Sequence, residues 1–155
     1  MTQKQTVLRQ SRAKAEINNT ENLIRKMLKK ERTPFMLVRR SILEKQYKRF
    51  TKALPHVTPY YAIKANSHPD IIKKVARLGA CFDVASAPEM KNVLKLGPSP
   101  TRMIFANTIK SVEAIKTAKR ERVRLMTFDN EPELFKIAKH FPRARVLVRI
   151  KVKNR

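Results

Sequence analysis

The chain reads as an α/β protein of about five parallel strands with helices packed outside them, and three observations predict it. Short apolar runs recur at residues 59–64, 81–85, 103–106, 124–128 and 145–150. Their ends, taken at Lys64, Ala85, Ala106, Phe128 and Ile150, lie 21, 21, 22 and 22 residues apart, the repeat of a strand, a short helix and two turns. The runs are apolar on both alternating faces, as parallel strands are when helices cover one side and side chains fill the other. Consecutive right-handed crossovers then give a curved parallel sheet, and the pattern alone leaves open a partial (β/α) barrel or a doubly wound sheet.

The helices between the runs carry their own start and stop signals. Pro69 suits a first helical turn, and Gly79 suits the left-handed residue that ends the same helix. Ser86-Ala87-Pro88-Glu89 has the form of a capping box closed by Gly97, and Asn130-Glu131-Pro132-Glu133 repeats it. Met90, Val93 and Leu94, then Leu134, Ile137, Ala138 and Phe141, have the three-and-four spacing of a helix face laid on a sheet. Ahead of the repeats, residues 39–54 place Ile42, Leu43, Tyr47, Phe50 and Leu54 on one side of a helix expected to pack on the first strand. Residues 35–38 read as a short strand. Residues 13–32 read as a helix with Leu23, Ile24, Met27 and Leu28 as a narrow apolar stripe.

The composition sets limits on function. With 155 residues, the chain has room for one ordinary domain with a core. Its 36 Lys and Arg against 12 Asp and Glu give a net charge of +24, which attracts nucleic acid or other polyanions without sequence preference. The basic residues are spread over what read as outer helix faces, so they are expected to be mainly solvated surface. Cys81 is the single cysteine, which excludes an internal disulfide and suits a reducing compartment. No secretory leader is read at the N-terminus and no apolar run is long enough to span a bilayer, so the expected address is the cytoplasm. His56, His68 and His140 have no ligand spacing to Cys81 or to one another, and two glycines are too few for a nucleotide-binding loop. Aromatic residues are few and lie within apolar runs, which disfavours a base-stacking platform.

Chemistry concentrates at the C-terminal ends of the runs, where parallel barrels gather their functional groups. Lys64, Ser86, Asn107, Asp129 and Arg149 all fall at or next to such ends. Lys64 follows the first run in Tyr60-Tyr61-Ala62-Ile63-Lys64-Ala65-Asn66; low-dielectric surroundings there would keep its amine partly neutral and nucleophilic, as a Schiff-base lysine requires.

That segment, together with Phe82-Asp83-Val84-Ala85-Ser86, resembles the cofactor-lysine region of the pyridoxal-phosphate-dependent ornithine, arginine and diaminopimelate decarboxylases, most of all the bacterial ornithine type. Thr33-Pro34-Phe35, Ala53-Leu54-Pro55, Met103-Ile104-Phe105-Ala106-Asn107, Met126-Thr127-Phe128-Asp129 and Val148-Arg149-Ile150 fall in the family's order, so the likeness covers residues 33–152. The resemblance implies a partial barrel, with residues 1–32 as a helical extension and 33–155 as a truncated cofactor-binding barrel domain. It implies that Lys64 forms the Schiff base with pyridoxal 5'-phosphate, with Asp83 as its acidic neighbour, Arg149 near the phenolic oxygen and Ala62 beside the ring. The implied activity is decarboxylation of a small basic amino acid, ornithine to putrescine first, in polyamine biosynthesis.

A barrel alone takes about 250 residues. The family's phosphate loops, ring-stacking histidine, pyridine-nitrogen acid and the cysteine and aspartate contributed across its dimer have no counterpart here. The chain alone is therefore expected to be inactive or very weak, to bind the cofactor weakly, and to associate with itself or with a complementary C-terminal half. The alternatives are a non-catalytic decarboxylase-derived binding module and a basic nucleic-acid-associated protein.

Overall fold

The structure is a computed structural model and describes residues 3–152. Of the basic residues near the C-terminus, Lys153 and Arg155 lie outside that range. The chain divides into two compact units, Met1–Arg39 and Arg40–Arg155. The first holds α1 (Gln3–Met27), whose body covers much of the segment expected to be helical. Its far side is tied to residue 39, where the Arg39 guanidinium donates to the Glu16 carbonyl at 3.2 Å and to Thr20 Oγ1 at 2.5 Å. Residues 35–38 form no strand, contrary to expectation. No other strand is described in that unit, and an extended segment with no partner has no ladder to join.

The second unit runs α2 (Arg40–Ala53), β1 (Tyr60–Ala62), α3 (Pro69–Arg77), β2 (Cys81–Val84), α4 (Ala87–Lys95), β3 (Met103–Phe105), α5 (Val112–Arg120), β4 (Leu125–Phe128), α6 (Glu131–His140) and β5 (Arg145–Val148). The five strands form one sheet in the order β1-β2-β3-β4-β5, every neighbour parallel. The order is sequential and β1 and β5 do not meet, so the sheet is the open arc of a barrel. Closure requires strand number, tilt and stagger to agree, which this many strands of a TIM-type barrel cannot achieve.

Alternation along the strands separates two faces. Phe82, Val84, Met103, Phe105 and Met126 point to the helices and are buried with Ile72, Val75, Met90, Val93, Ile115, Ala118 and Ile137. On the opposite face, Ala62, Asp83, Ile104, Leu125 and Arg145 stand in one row across the sheet. Ala62, Asp83, Ile104 and Leu125 are half-buried on that face, and β5, at the edge, is exposed along its whole length.

Helix ends follow the sequence signals closely. His68 caps α3, Ser86 caps α4 and Asn130 caps α6, each with a proline in the first turn. Gly79 and Gly97 take φ of +98° and +103°, which L side chains rarely adopt, and both follow helix C-termini. Helix α2 lies against α3, with Lys74 bonded to Glu44 at 2.5 Å and Arg40 to Asp70 at 3.4 Å. It sends Leu43 and Tyr47 toward the core but buries no residue fully, while Phe50 and Leu54 stay exposed.

Candidate functional site

The C-terminal ends of β1, β2, β3 and β5 surround a cleft of about 310 Å³, lined by Lys64, Asp83, Ala85, Glu89, Ala106, Asn107, Thr108 and Arg149. Residues separated by up to about half the chain thus meet because each lies in, just after or in the helix following the C-terminal end of a strand, all at the same end of a parallel sheet.

Lys64 is not part of β1. The strand stops at Ala62, and Ile63–Ala65 form one turn of 3-10 helix. Ile63 is 1% exposed and anchors the turn in the core, which turns the next side chain outward. The Tyr61 hydroxyl donates to the Asn66 carbonyl at 3.0 Å and pins the turn from its other end. Lys64 is therefore exposed in the cleft wall, and the low-dielectric surroundings expected for its amine are not formed here.

Asp83 is half-buried on that inner face, beside Ala62 in the register. Burial pushes its carboxyl above the ordinary aspartate value, Lys64 pulls it back, Glu89 pushes it up again and Arg149 pulls it down; the net direction is upward. Ala62 occupies the same row but does not line the cleft. Arg149 follows β5, where its backbone N–H donates to the Phe128 carbonyl at 2.7 Å and its guanidinium reaches across to the Ala106 carbonyl at 3.4 Å. Its side chain is exposed, at the edge of the sheet.

Of the remaining strand-end residues, Asn107 lines the cleft, whereas Ser86 is occupied in capping α4. Asp129 lies outside the cleft wall, its carboxyl lowered by hydrogen bonds from Thr108 and Asn130. Glu89 is an addition that sequence reasoning assigned only to capping. Its carboxylate accepts from the Ala85 N–H at 2.7 Å, one residue beyond the cap itself, and this reach brings it into the cleft. The spacing from Ser86 to Glu89 held part of that signal, since a capping-box acid reaches back toward the backbone at the helix start.

Comparison with known proteins bears directly on this arrangement. The family model for the pyridoxal-binding domain of pyridoxal-dependent decarboxylases matches residues 40–155, the whole second unit. The chain belongs to that family. A probable ornithine decarboxylase of Dictyostelium discoideum is 41% identical over 131 residues, 84% of this chain and 28% of the relative. An antizyme inhibitor 2 of Xenopus laevis is 42% identical over 120 residues, 77% of this chain and 26% of the relative. A crystal structure of SrLDC in complex with PLP and cadaverine superposes with a TM-score of 0.82 at 40% identity, covering 86% of this chain and 35% of that one. The chain thus spans about a quarter to a third of the length of the relatives it matches.

The cleft can be tested against pyridoxal phosphate by its donor set. A primary amine, two carboxylates, a guanidinium and an amide fit the aldehyde and phenolic end of the ring, where charge must be balanced and a carbonyl attacked. Thr127 Oγ1, on the same inner face, is buried with no partner among the described residues, so polar capacity is left on that face. The phosphate end fits less well. Lys64 and Arg149 already balance Asp83 and Glu89, which leaves no net positive charge for a phosphate dianion. Both glycines lie after helix C-termini, at the opposite end of the strands. Among the described residues, no histidine, cysteine, aspartate and glutamate group has the form of a metal site, and no helix is long and apolar enough to cross a membrane.

Proposed function

We propose that the chain carries the lysine-bearing part of a pyridoxal-phosphate-dependent decarboxylase of basic amino acids, with ornithine as first substrate and putrescine as product, and that the chain alone does not turn over. The supporting observation is the convergence of Lys64, Asp83 and Arg149, from three separate strand ends, on one cleft within a domain of this family. The bound cofactor supplies an electron sink for the pair left when carbon dioxide departs. Lys64 would present its Nζ to the aldehyde of a bound cofactor and would hold a proton at that nitrogen. Asp83 keeps a neighbouring cation in place through its carboxylate, and Glu89 shares that load from the α4 cap. Arg149, in the cleft wall, would orient the phenolic oxygen of a bound cofactor by donating to it.

The reading of an incomplete site is supported by the exposure of Lys64 and by a cleft lining that, among the described residues, holds as many carboxylates as cations. A second reading, a non-catalytic module that pairs with a longer relative, has its own support: a relative as similar as the decarboxylases carries the name of an inhibitor. One experiment separates the two. Carbon dioxide release from carboxyl-labelled ornithine, lysine, arginine and diaminopimelate is measured for the chain alone and for the chain mixed with a separately produced C-terminal part of a decarboxylase relative. Turnover only in the mixture, abolished by Lys64→Ala, supports the proposal. Turnover by the chain alone overturns the incomplete site, and none in any mixture favours the non-catalytic module.

A further inference from the structure

The buried pair of Lys110 and Glu133 takes no part in the steps above. Lys110 lies in the loop between β3 and α5, its side chain wholly enclosed. Its ammonium donates to the Asn107 carbonyl at 2.8 Å and the Thr127 carbonyl at 2.6 Å and lies 3.1 Å from Glu133 Oε1. Glu133, 2% exposed, also accepts from the Lys110 backbone N–H at 3.2 Å, and Lys136 pairs with its other oxygen at 2.6 Å. Burial pulls the Lys110 ammonium below the ordinary lysine value, and the hydrogen bond to Glu133 opposes this.

A buried ion pair is a weak source of stability, because desolvation offsets most of its attraction. Its distinctive property is placement: three donors on one enclosed nitrogen hold three acceptors at set directions. Here the acceptors are the ends of two adjacent strands and the first turn of α6. The first of these, the end of β3, lines the cleft, and the end of β4 lies beside it. Asn107 and Thr108 line the cleft, Thr108 also bonds Asp129, and the carbonyl of Ala106 receives Arg149.

We propose that Lys110, held by Glu133, is a positioning residue for the cleft: it fixes the main chain at the C-terminal ends of β3 and β4 and thereby sets where Asn107, Thr108 and Arg149 stand opposite Lys64. The proposal rests on the reading of Lys64 as the cofactor lysine. A role in stability alone would leave the cleft unchanged in any variant that folds, and this separates the two.

The test uses the full chain with Lys110→Met, Lys110→Arg and the double variant Lys110→Met/Glu133→Leu, which leaves no orphaned carboxylate. Each is incubated with pyridoxal phosphate, reduced with borohydride and mapped by peptide mass spectrometry at a temperature where circular dichroism shows it folded. The share of label at Lys64 relative to all other lysines should fall about tenfold in both methionine variants, as misplaced groups lower reaction efficiency steeply, and recover in part with Lys110→Arg. Amide exchange should rise in residues 104–111 and 125–131 and stay unchanged in 80–84. A double variant that keeps the parent's Lys64 share and exchange pattern overturns the proposal, as does a double variant that cannot fold. If the parent itself shows no preference for Lys64, the cofactor-lysine reading has failed, and exchange decides alone: a rise confined to the two strand ends supports positioning, and a uniform or absent change overturns it.

Discussion

Asp83→Asn should make the chain more stable at neutral pH while making its cleft a poorer site. The carboxyl is half-buried, and its upward shift arises first from desolvation, then from the balance of Lys64 and Arg149 against Glu89. A folded value above the unfolded one means that the folded state holds the proton more tightly. Its stabilising contribution is complete below the ordinary aspartate value and is lost as pH rises through the raised folded value. At neutral pH the ionised group is thus a net cost, which a neutral isostere removes. Both attracting cations are exposed and the group itself keeps part of its contact with solvent, so screening reduces the gain to about 0.5 kcal/mol, or about 2 °C in Tm for a domain of this size. Thermal unfolding followed by circular dichroism across the acid range reads it directly. The gain should be present at neutral pH and vanish below the ordinary aspartate value, and borohydride-trapped labelling of Lys64 by pyridoxal phosphate should fall in the same variant. A lower Tm at neutral pH, or a gain that persists in acid, would refute the account of Asp83 as a functional group held against its solvation.

Glu44, drawn down to about 2 by hydrogen bonds from Lys48 and Lys74, contributes stability above the ordinary glutamate range that is lost as pH falls through its folded value. Glu44→Gln should therefore remove part of the acid-induced loss in Tm while lowering Tm at neutral pH, and an unchanged acid profile would show the α2–α3 bridge to be inert. Phe82 is fully enclosed between the sheet and its helices, so Phe82→Ala should cost about 3–5 kcal/mol, a large part of what a domain of this size has, and chemical denaturation should show a lower midpoint or no cooperative transition. The edge strand β5 leaves Val146, Leu147 and Val148 exposed, with Ile150 and Val152 beyond it, while the net charge of +24 opposes association. Light scattering should show mass increasing as salt is raised from about 0.05 to about 1 M, where the Debye length becomes short, and a constant monomer would contradict this.

Much of the fold is legible because parallel strands and their helices write strong local signals. The spacing of the apolar runs located all five strands, and Ser86, Asn130, Gly79 and Gly97 marked helix ends that the structure places where expected. What escaped was tertiary. The apolar character of Ile63 extended the first run to Lys64, although that residue is apolar because it plugs a 3-10 turn into the core. Val148-Arg149-Ile150 reads as buried strand because its pattern suits a strand between neighbours, while this chain leaves it at an edge. Phe35 and its neighbours were extended by composition but had no ladder to join. Lys110 sits in a polar loop among dozens of basic residues, and Glu133 looked like one more cap acid. Only the meeting of the first turn of α6 with the loop between β3 and α5 brings them together out of water, and no local pattern records that.

The central claim is that Lys64 is the cofactor lysine of this domain, and competitive labelling tests it most directly. The chain and its Lys64→Ala variant are treated with limiting pyridoxal phosphate, reduced with borohydride and mapped by mass spectrometry, with carbon dioxide release from ornithine followed in parallel. The account predicts label concentrated on Lys64, lost in the variant, with weak saturation and no turnover, because the cleft supplies the reacting end of the site and no cradle for the phosphate. Label spread evenly over the exposed lysines in both proteins would contradict the assignment of Lys64, and tight stoichiometric binding with turnover would contradict the incomplete site.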